Sequence, residues 1–325
     1  MGIISSAQVA ERLENPDYSH TIRRTRLASA VLARLEQDQL AVVTTYSLFH
    51  VLRSVLADGG KGLYLRGGAF PSSHIDGVRT NLLVTRAIEV DPDYGRSLYR
   101  VLPVGGSSAE EVCALANPFG HISHLSAMQR WGLTERRPEA LHLTMPPASA
   151  ARCLVEERME ADYGVLDHGT PPGNGPIPPQ AQVKLYFIRH PKMVRGRAIS
   201  VHETRHSVCW LQVQDSHARL ATVGQTFVDM VERPQYCGGM AHVVDVWREH
   251  ADTFREEIIG TMEEVGTPIA KVRAGYLFDE LLAEGNDARI QGWVRFAQRG
   301  SSRVLDPAKG FSGTHSEKWM LSINV

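Results

Sequence analysis

Between residues 27 and 101 three helix-period patterns are followed by two strand-like runs around a Pro/Gly turn, and few small folds accommodate that order. Leu27, Val31, Leu32 and Leu35 predict an amphipathic helix. Thr44 or Thr45 can cap a second, in which Leu48, Val51, Leu52, Val55 and Leu56 recur at i, i+3, i+4, i+7 and i+8, with Gly59-Gly60 as its end. A third helical pattern begins after Pro71-Ser72-Ser73 and turns Ile75, Val78, Leu82 and Leu83 toward a core. Ala87–Val90 and Ser97–Val101 then read as strands on either side of Asp91-Pro92-Asp93-Tyr94-Gly95. Helices followed by a hairpin is the order of a winged helix-turn-helix, and residues 1–106 are expected to form such a domain.

In that arrangement residues 73–86 are the candidate for the helix that enters a DNA groove. Ser73, Thr80 and Asn81 point away from its apolar face and Arg79 lies on the flank. Asn can pair bidentately with adenine and Arg with guanine, which is why those types matter there. The basic run Arg23-Arg24-Thr25-Arg26 and the hairpin residues Arg96 and Arg100 are the candidates for phosphate contacts. On periodicity alone the same residues also describe a solvated helix face. Eleven basic and seven acidic residues put segment 20–105 at +4, while the whole chain stands at −1. That asymmetry permits phosphate contacts without requiring them. The 57–72 connection exceeds a tight turn and leaves open which helix enters the groove.

Gly105-Gly106 reads as a hinge, and residues 107–325 as a second, α+β domain. Ser108 and Glu111 form a capping box, Asn117-Pro118 closes that helix, and Ser123 can cap the next, which Gly132 ends. Leu141–Met145, Val183–Ile188 and Ser207–Val213 look strand-like, and Ala148–Met159 helical. Residues 167–180 are too rich in Pro and Gly for either. Thr222 and Gln225 have the spacing of another capping box, Val223, Phe227 and Val231 share one face, and Pro234 stops the helix. Helices follow over 241–250 and 252–264, and the last long one has Thr267 as cap, Pro268 at its first position and Gly285 past its end.

His202-Glu203-Thr204-Arg205-His206 spells H-E-x-x-H, the zinc-hydrolase spacing that works when two His one helical turn apart share a face. Its flanks are β-branched, so the helix this chemistry needs is not expected, and a metal site at His202 and His206 is the minor alternative. His121 and His124 read as packed or capping residues, and Thr226 and Asp229 as structural, since no nucleophile accompanies them. No phosphate-binding glycine loop is present, four scattered cysteines form no C-x-x-C pair, and no apolar run is long enough for a bilayer. The chain is therefore expected to be a cytoplasmic non-enzyme with no cofactor.

Four segments in order carry a resemblance. They are Asn117 to Thr134 with the following Leu141-His142-Leu143-Thr144-Met145, Ala221 to Pro234, Ile269 to Leu282 containing Arg273-Ala274-Gly275-Tyr276-Leu277-Phe278-Asp279, and Trp293 to Val325 with Leu305-Asp306-Pro307 and Lys318-Trp319. Over residues 107–325 the chain resembles the AbiEi family, the antitoxin and transcriptional-regulator half of type IV toxin–antitoxin systems. The resemblance implies an autorepressor that reads inverted repeats in its own promoter as two protomers on one site. Its functional partner would be a nucleotidyltransferase-like toxin, counteracted without a stable direct complex. It also brings the tail residues Arg295, Arg299 and Arg303 forward as candidates for partner or DNA contacts. A non-DNA interaction or sensory module is the remaining reading.

Overall fold

A computed structural model describes residues 23–57, 74–164, 181–300 and 303–325, which are α+β. Ser73, Gly59-Gly60, the 167–180 stretch and Ser301-Ser302 lie outside the described residues. The chain forms two compact units, one of residues 1–118 and 148–191, the other of 119–147 and 192–325. The first unit thus runs past residue 106 and takes in a later excursion of the chain.

In the first unit, α1 (Arg26–Gln37) starts where the Thr25 hydroxyl accepts from the Ala28 amide, and it buries Ala28, Val31, Leu32 and Leu35. A two-residue strand β1 (Val42–Val43) leads into α2 (Thr45–Ala57). There Thr44 and Ser47 cap each other reciprocally, each side-chain oxygen accepting the other's backbone N–H at 3.0 and 2.9 Å. Leu48, Val51 and Leu52 are buried, whereas Val55 and Leu56 are half-buried. After α3 (Ile75–Val84) come β2 (Ile88–Asp91) and β3 (Gly95–Val101), antiparallel with Glu89 opposite Arg100. Asp91 shapes the turn by accepting the Asp93 and Tyr94 amides, and Gly95 supplies the positive φ of 59° that closes it. β1 pairs with β3, so the sheet order is β1-β3-β2.

The same unit holds α4 (Ala109–Ala116), capped by Ser108 onto the Glu111 amide, and α6 (Ala148–Tyr163). The expected strand at 183–188 does not form. The Val183 carbonyl accepts from the Tyr163 hydroxyl and the Ile188 carbonyl from the Asn117 side-chain amide, so side chains anchor this segment in place of a neighbouring strand.

The second unit is built on a six-stranded mixed sheet in the order β6-β7-β5-β4-β9-β8. These strands are β4 (His121–Ile122), β5 (Ala140–Met145), β6 (Met193–Val194), β7 (Arg197–Glu203), β8 (Trp210–Gln212) and β9 (Arg219–Ala221). The 207–213 run yields only the three residues of β8. Short α5 (His124–Arg130) packs on β5. The helices are α7 (Val223–Glu232), α8 (Met240–His250), α9 (Arg255–Val265), α10 (Pro268–Tyr276) and α11 (Ala288–Gly292), with α10 running on through a π-turn at Leu277–Leu281.

The core of this unit is helical. Every residue of α7 from Val223 to Val231 is buried, among them Phe227, which meets Trp247 edge to face at 5.3 Å. α7 and α9 approach so closely that a Cβ on Gly224 would overlap Thr261 and the Glu257 carbonyl. Buried Arg273 on α10 donates to the carbonyls of Val231 at 2.7 Å and Val304 at 3.0 Å. Asp279 pairs with Lys318 at 2.5 Å and accepts from the Trp319 indole at 3.1 Å. The Arg273-to-Asp279 segment and the Lys318-Trp319 tail thus fold onto one another, with Trp319 packed on Gly275, which has no room for a side chain. A short pair of strands, β10 (His315–Ser316) and β11 (Leu321–Ser322), holds the end of the chain.

Candidate functional site

Two places concentrate the residues singled out above. In the first unit α3 leaves Asp76, Gly77 and Thr80 exposed on one stripe, while Ile75, Val78 and Leu82 face inward. Arg79 lies on the flank of that stripe, its guanidinium 2.8 Å from the Asp76 carboxylate one turn earlier. Asn81 is differently employed: its side-chain oxygen accepts the Thr25 amide at 3.0 Å. That contact ties the start of α1 to α3 and takes the acceptor that a bidentate adenine pair requires. Arg24 reaches the Thr85 hydroxyl at 3.4 Å, so the exposed Arg23-Arg24 pair stands beside the end of α3. In the hairpin Arg96 is exposed, whereas half-exposed Arg100 sits 3.5 Å from Glu89 across the sheet. Sequence reasoning missed Asp76, although its i, i+3 spacing to Arg79 was there to be read.

The second place is a cluster of imidazoles on the six-stranded sheet, beside a cleft that His124 and His206 help to line. His142 and Thr144 alternate with buried Leu141, Leu143 and Met145 along β5, and the pairing sets Thr144 opposite both His121 and His202. One sheet face therefore carries several imidazoles. His142 Nδ1 and His202 Nε2 lie 2.8 Å apart, a bond in which one ring donates and the other accepts. His124 lies over His202 with ring centroids 4.3 Å apart, and the Tyr236 ring covers His202 at 4.1 Å. Burial lowers the pKa of His121 and His202 to about 4, with Arg219 and His142 adding to the respective effects. Burial depresses His124 and His142 as well.

Ser123 occupies the cap position of α5, but its hydroxyl contacts His124 Nδ1 at 2.7 Å and accepts from Thr144, so it leaves the backbone uncapped. The Thr222 side of the α7 capping box forms, with its hydroxyl accepting the Gln225 amide. The Gln225 side chain turns away from Thr222: it accepts the Cys209 amide and donates to Asp229 at 2.9 Å. Asp229 Oδ2 has only a long 3.5 Å contact with the His124 amide, and burial raises this carboxyl to about 7. Thr226 is bonded back to the Thr222 carbonyl, a structural role.

The H-E-x-x-H segment lies on β7 and the irregular chain after it, not on a helix. His202 is buried against His142, while His206 is exposed, so the shared helical face that zinc ligation at this spacing requires is missing. Among the described residues no group of three His, Cys, Asp or Glu is placed to hold a metal ion. His142 had no role in the sequence reading. Its signal was the polar alternation of 142 and 144 within an otherwise apolar strand.

No family model matches the chain, and no curated protein matches it either. Among solved structures it is similar to the crystal structure of the RV2827C protein from Mycobacterium tuberculosis, at 17% identity over 92% of each chain and a TM-score of 0.43.

Proposed function

We propose that this protein is a DNA-binding transcriptional autorepressor and antitoxin of a type IV toxin–antitoxin system. The observation that carries the reading is the topology of the first unit. Its order α1-β1-α2-α3-β2-β3, with sheet order β1-β3-β2, supports a winged-helix reading, in which α3 would enter the major groove and the β2–β3 hairpin would be the wing. The four-segment resemblance to the AbiEi family supplies the biological role. α3 offers Thr80 and Arg79 to base edges, with Gly77 permitting close approach of the helix. Arg23 and Arg24 beside α3, and Arg96 on the wing, are placed for phosphates. Asn81 leaves the base-reading set and becomes the brace between α1 and α3.

The operator is an inverted repeat in the promoter of the protein's own gene, read by two protomers, and the toxin is nucleotidyltransferase-like and opposed without a lasting complex. A gel-shift titration over the upstream region tests the DNA reading. Saturable binding that survives excess unrelated DNA supports it. Absence of binding at low salt favours a non-DNA module. Growth rescue in cells expressing the neighbouring gene separately tests the antitoxin role.

A further inference from the structure

The cleft beside the imidazoles is a cavity of about 220 Å³, room for a small molecule rather than a single water. Asp229 and Glu232, one turn apart on α7, supply its carboxylates, and Val208, Val265 and Ile269 give it an apolar wall. The polar lining is rich in acceptors. Glu232 takes the Thr267 hydroxyl at 2.7 Å on one oxygen, and the second oxygen of buried Asp229 has only the long contact with the His124 amide. Arg233, the guanidinium in the lining, donates to the Glu203 carbonyl at 3.0 Å. Two carboxylates thus stand against one guanidinium in the lining, and the space is too large for a bare ion.

We infer that this cleft binds a small organic cation, an N–H-bearing ammonium or amidinium head on a short apolar body, with Asp229 and Glu232 holding the head and Val208, Val265 and Ile269 packing the body. The inference is independent of DNA binding by the first unit. Proton linkage gives it a signature. The groups facing Asp229 are Glu232 on its own helix, Arg233 just past the end of that helix, His124 from α5, His206 from the chain after β7 and Cys237 beyond Tyr236. A cation binds the ionised carboxylate, so affinity rises with pH and levels off above about 7, where Asp229 ionises unaided.

The test is calorimetric titration of the full chain with butylammonium and agmatine, with butyrate as the anionic comparison. Both cations saturate the protein and butyrate does not. Affinity falls close to tenfold per unit below the Asp229 pKa. The same profile persists in His206→Asn, which assigns the proton to the carboxyl. Asp229→Asn weakens binding at least tenfold at pH 8. Should that variant lose its melting transition, Glu232→Gln is held to the same tenfold criterion. No saturation by either cation, equal binding of butyrate, or cation affinity unchanged in the folded carboxylate variant overturns the inference.

Discussion

If α3 reads DNA as proposed, Arg79 is a reading residue tuned by one neighbour. Its pairing with Asp76 is an exposed i, i+3 contact of the kind worth a few tenths of a kcal/mol, so a guanine edge can displace it. Arg79→Ala should weaken operator binding by about 1–3 kcal/mol. Asp76→Ala should tighten it several-fold, since an acidic competitor near the phosphates is removed. Fluorescence anisotropy on one operator duplex measures both, and an Asp76→Ala protein that binds more weakly would contradict the placement of α3 in the groove. Two glycines make a second contrast. Gly77 faces open space on α3, so Gly77→Ala should stabilise the fold by about 0.5–1 kcal/mol while obstructing DNA. A side chain on Gly224 meets the α9 backbone, and Gly224→Ala should destabilise by roughly 1–3 kcal/mol or more in urea unfolding.

Within the elements, the imidazole-bearing sheet sets a pH dependence. His121 and His202 accept protons near pH 6.5 when unfolded but only near pH 4 when folded. Their stabilisation is complete above about pH 6.5 and is lost as pH falls toward 4, about 3 kcal/mol from His121 alone. His124 and His142 act in the same sense. Asp229 opposes them: its raised pKa favours the fold at low pH, and that contribution is lost as pH climbs from about 4 to about 7. Unfolding free energy should therefore rise between pH 4 and 6.5, and more steeply in Asp229→Asn. Urea titrations at three pH values suffice, and a falling curve would refute the imidazole burial.

Which elements could be read in advance follows from the range of the forces that make them. Helix starts at Ser108, Thr222 and Thr267 lie within three residues of the amide they cap, whereas α1 to α3 were located by helix periodicity and the Thr25 cap of α1 was missed. Strands need a partner far along the chain. Val183–Ile188 has the composition of a strand yet finds only side chains, and two-residue β1 has no period to detect. Ser123 and Gln225 had the right spacing for caps, but His124, Thr144, Cys209 and Asp229 compete for them: the Thr144 and Cys209 contacts are tertiary, His124 adjoins Ser123 at a positive φ, and Asp229 lies one helical turn from Gln225.

Across the molecule, a unit of helices with a three-stranded sheet and a unit carrying a buried helical core and a polar cleft share one chain whose segments alternate between them. That alternation, 119–147 leaving the first unit and 148–191 returning to it, was invisible to a reading that sought one boundary at the Gly105-Gly106 hinge. No composition shift marks a chain that crosses and comes back. The α3–hairpin order was legible because it is contiguous. The imidazole cleft was not, because residues 124, 142, 202 and 229 meet only after the sheet and α7 have formed. No helix among the described residues is long and apolar enough to cross a membrane.

The most direct measurement is an anisotropy titration of the full chain on a duplex from its own upstream region, repeated across a salt series and against a shuffled duplex. A DNA-reading first unit requires saturable binding to the native duplex that weakens steeply as salt rises, a preference over the shuffled duplex of on the order of a thousandfold, and loss of that preference in Arg79→Ala. Equal affinity for both duplexes at every salt concentration, or no binding at low salt, would contradict it.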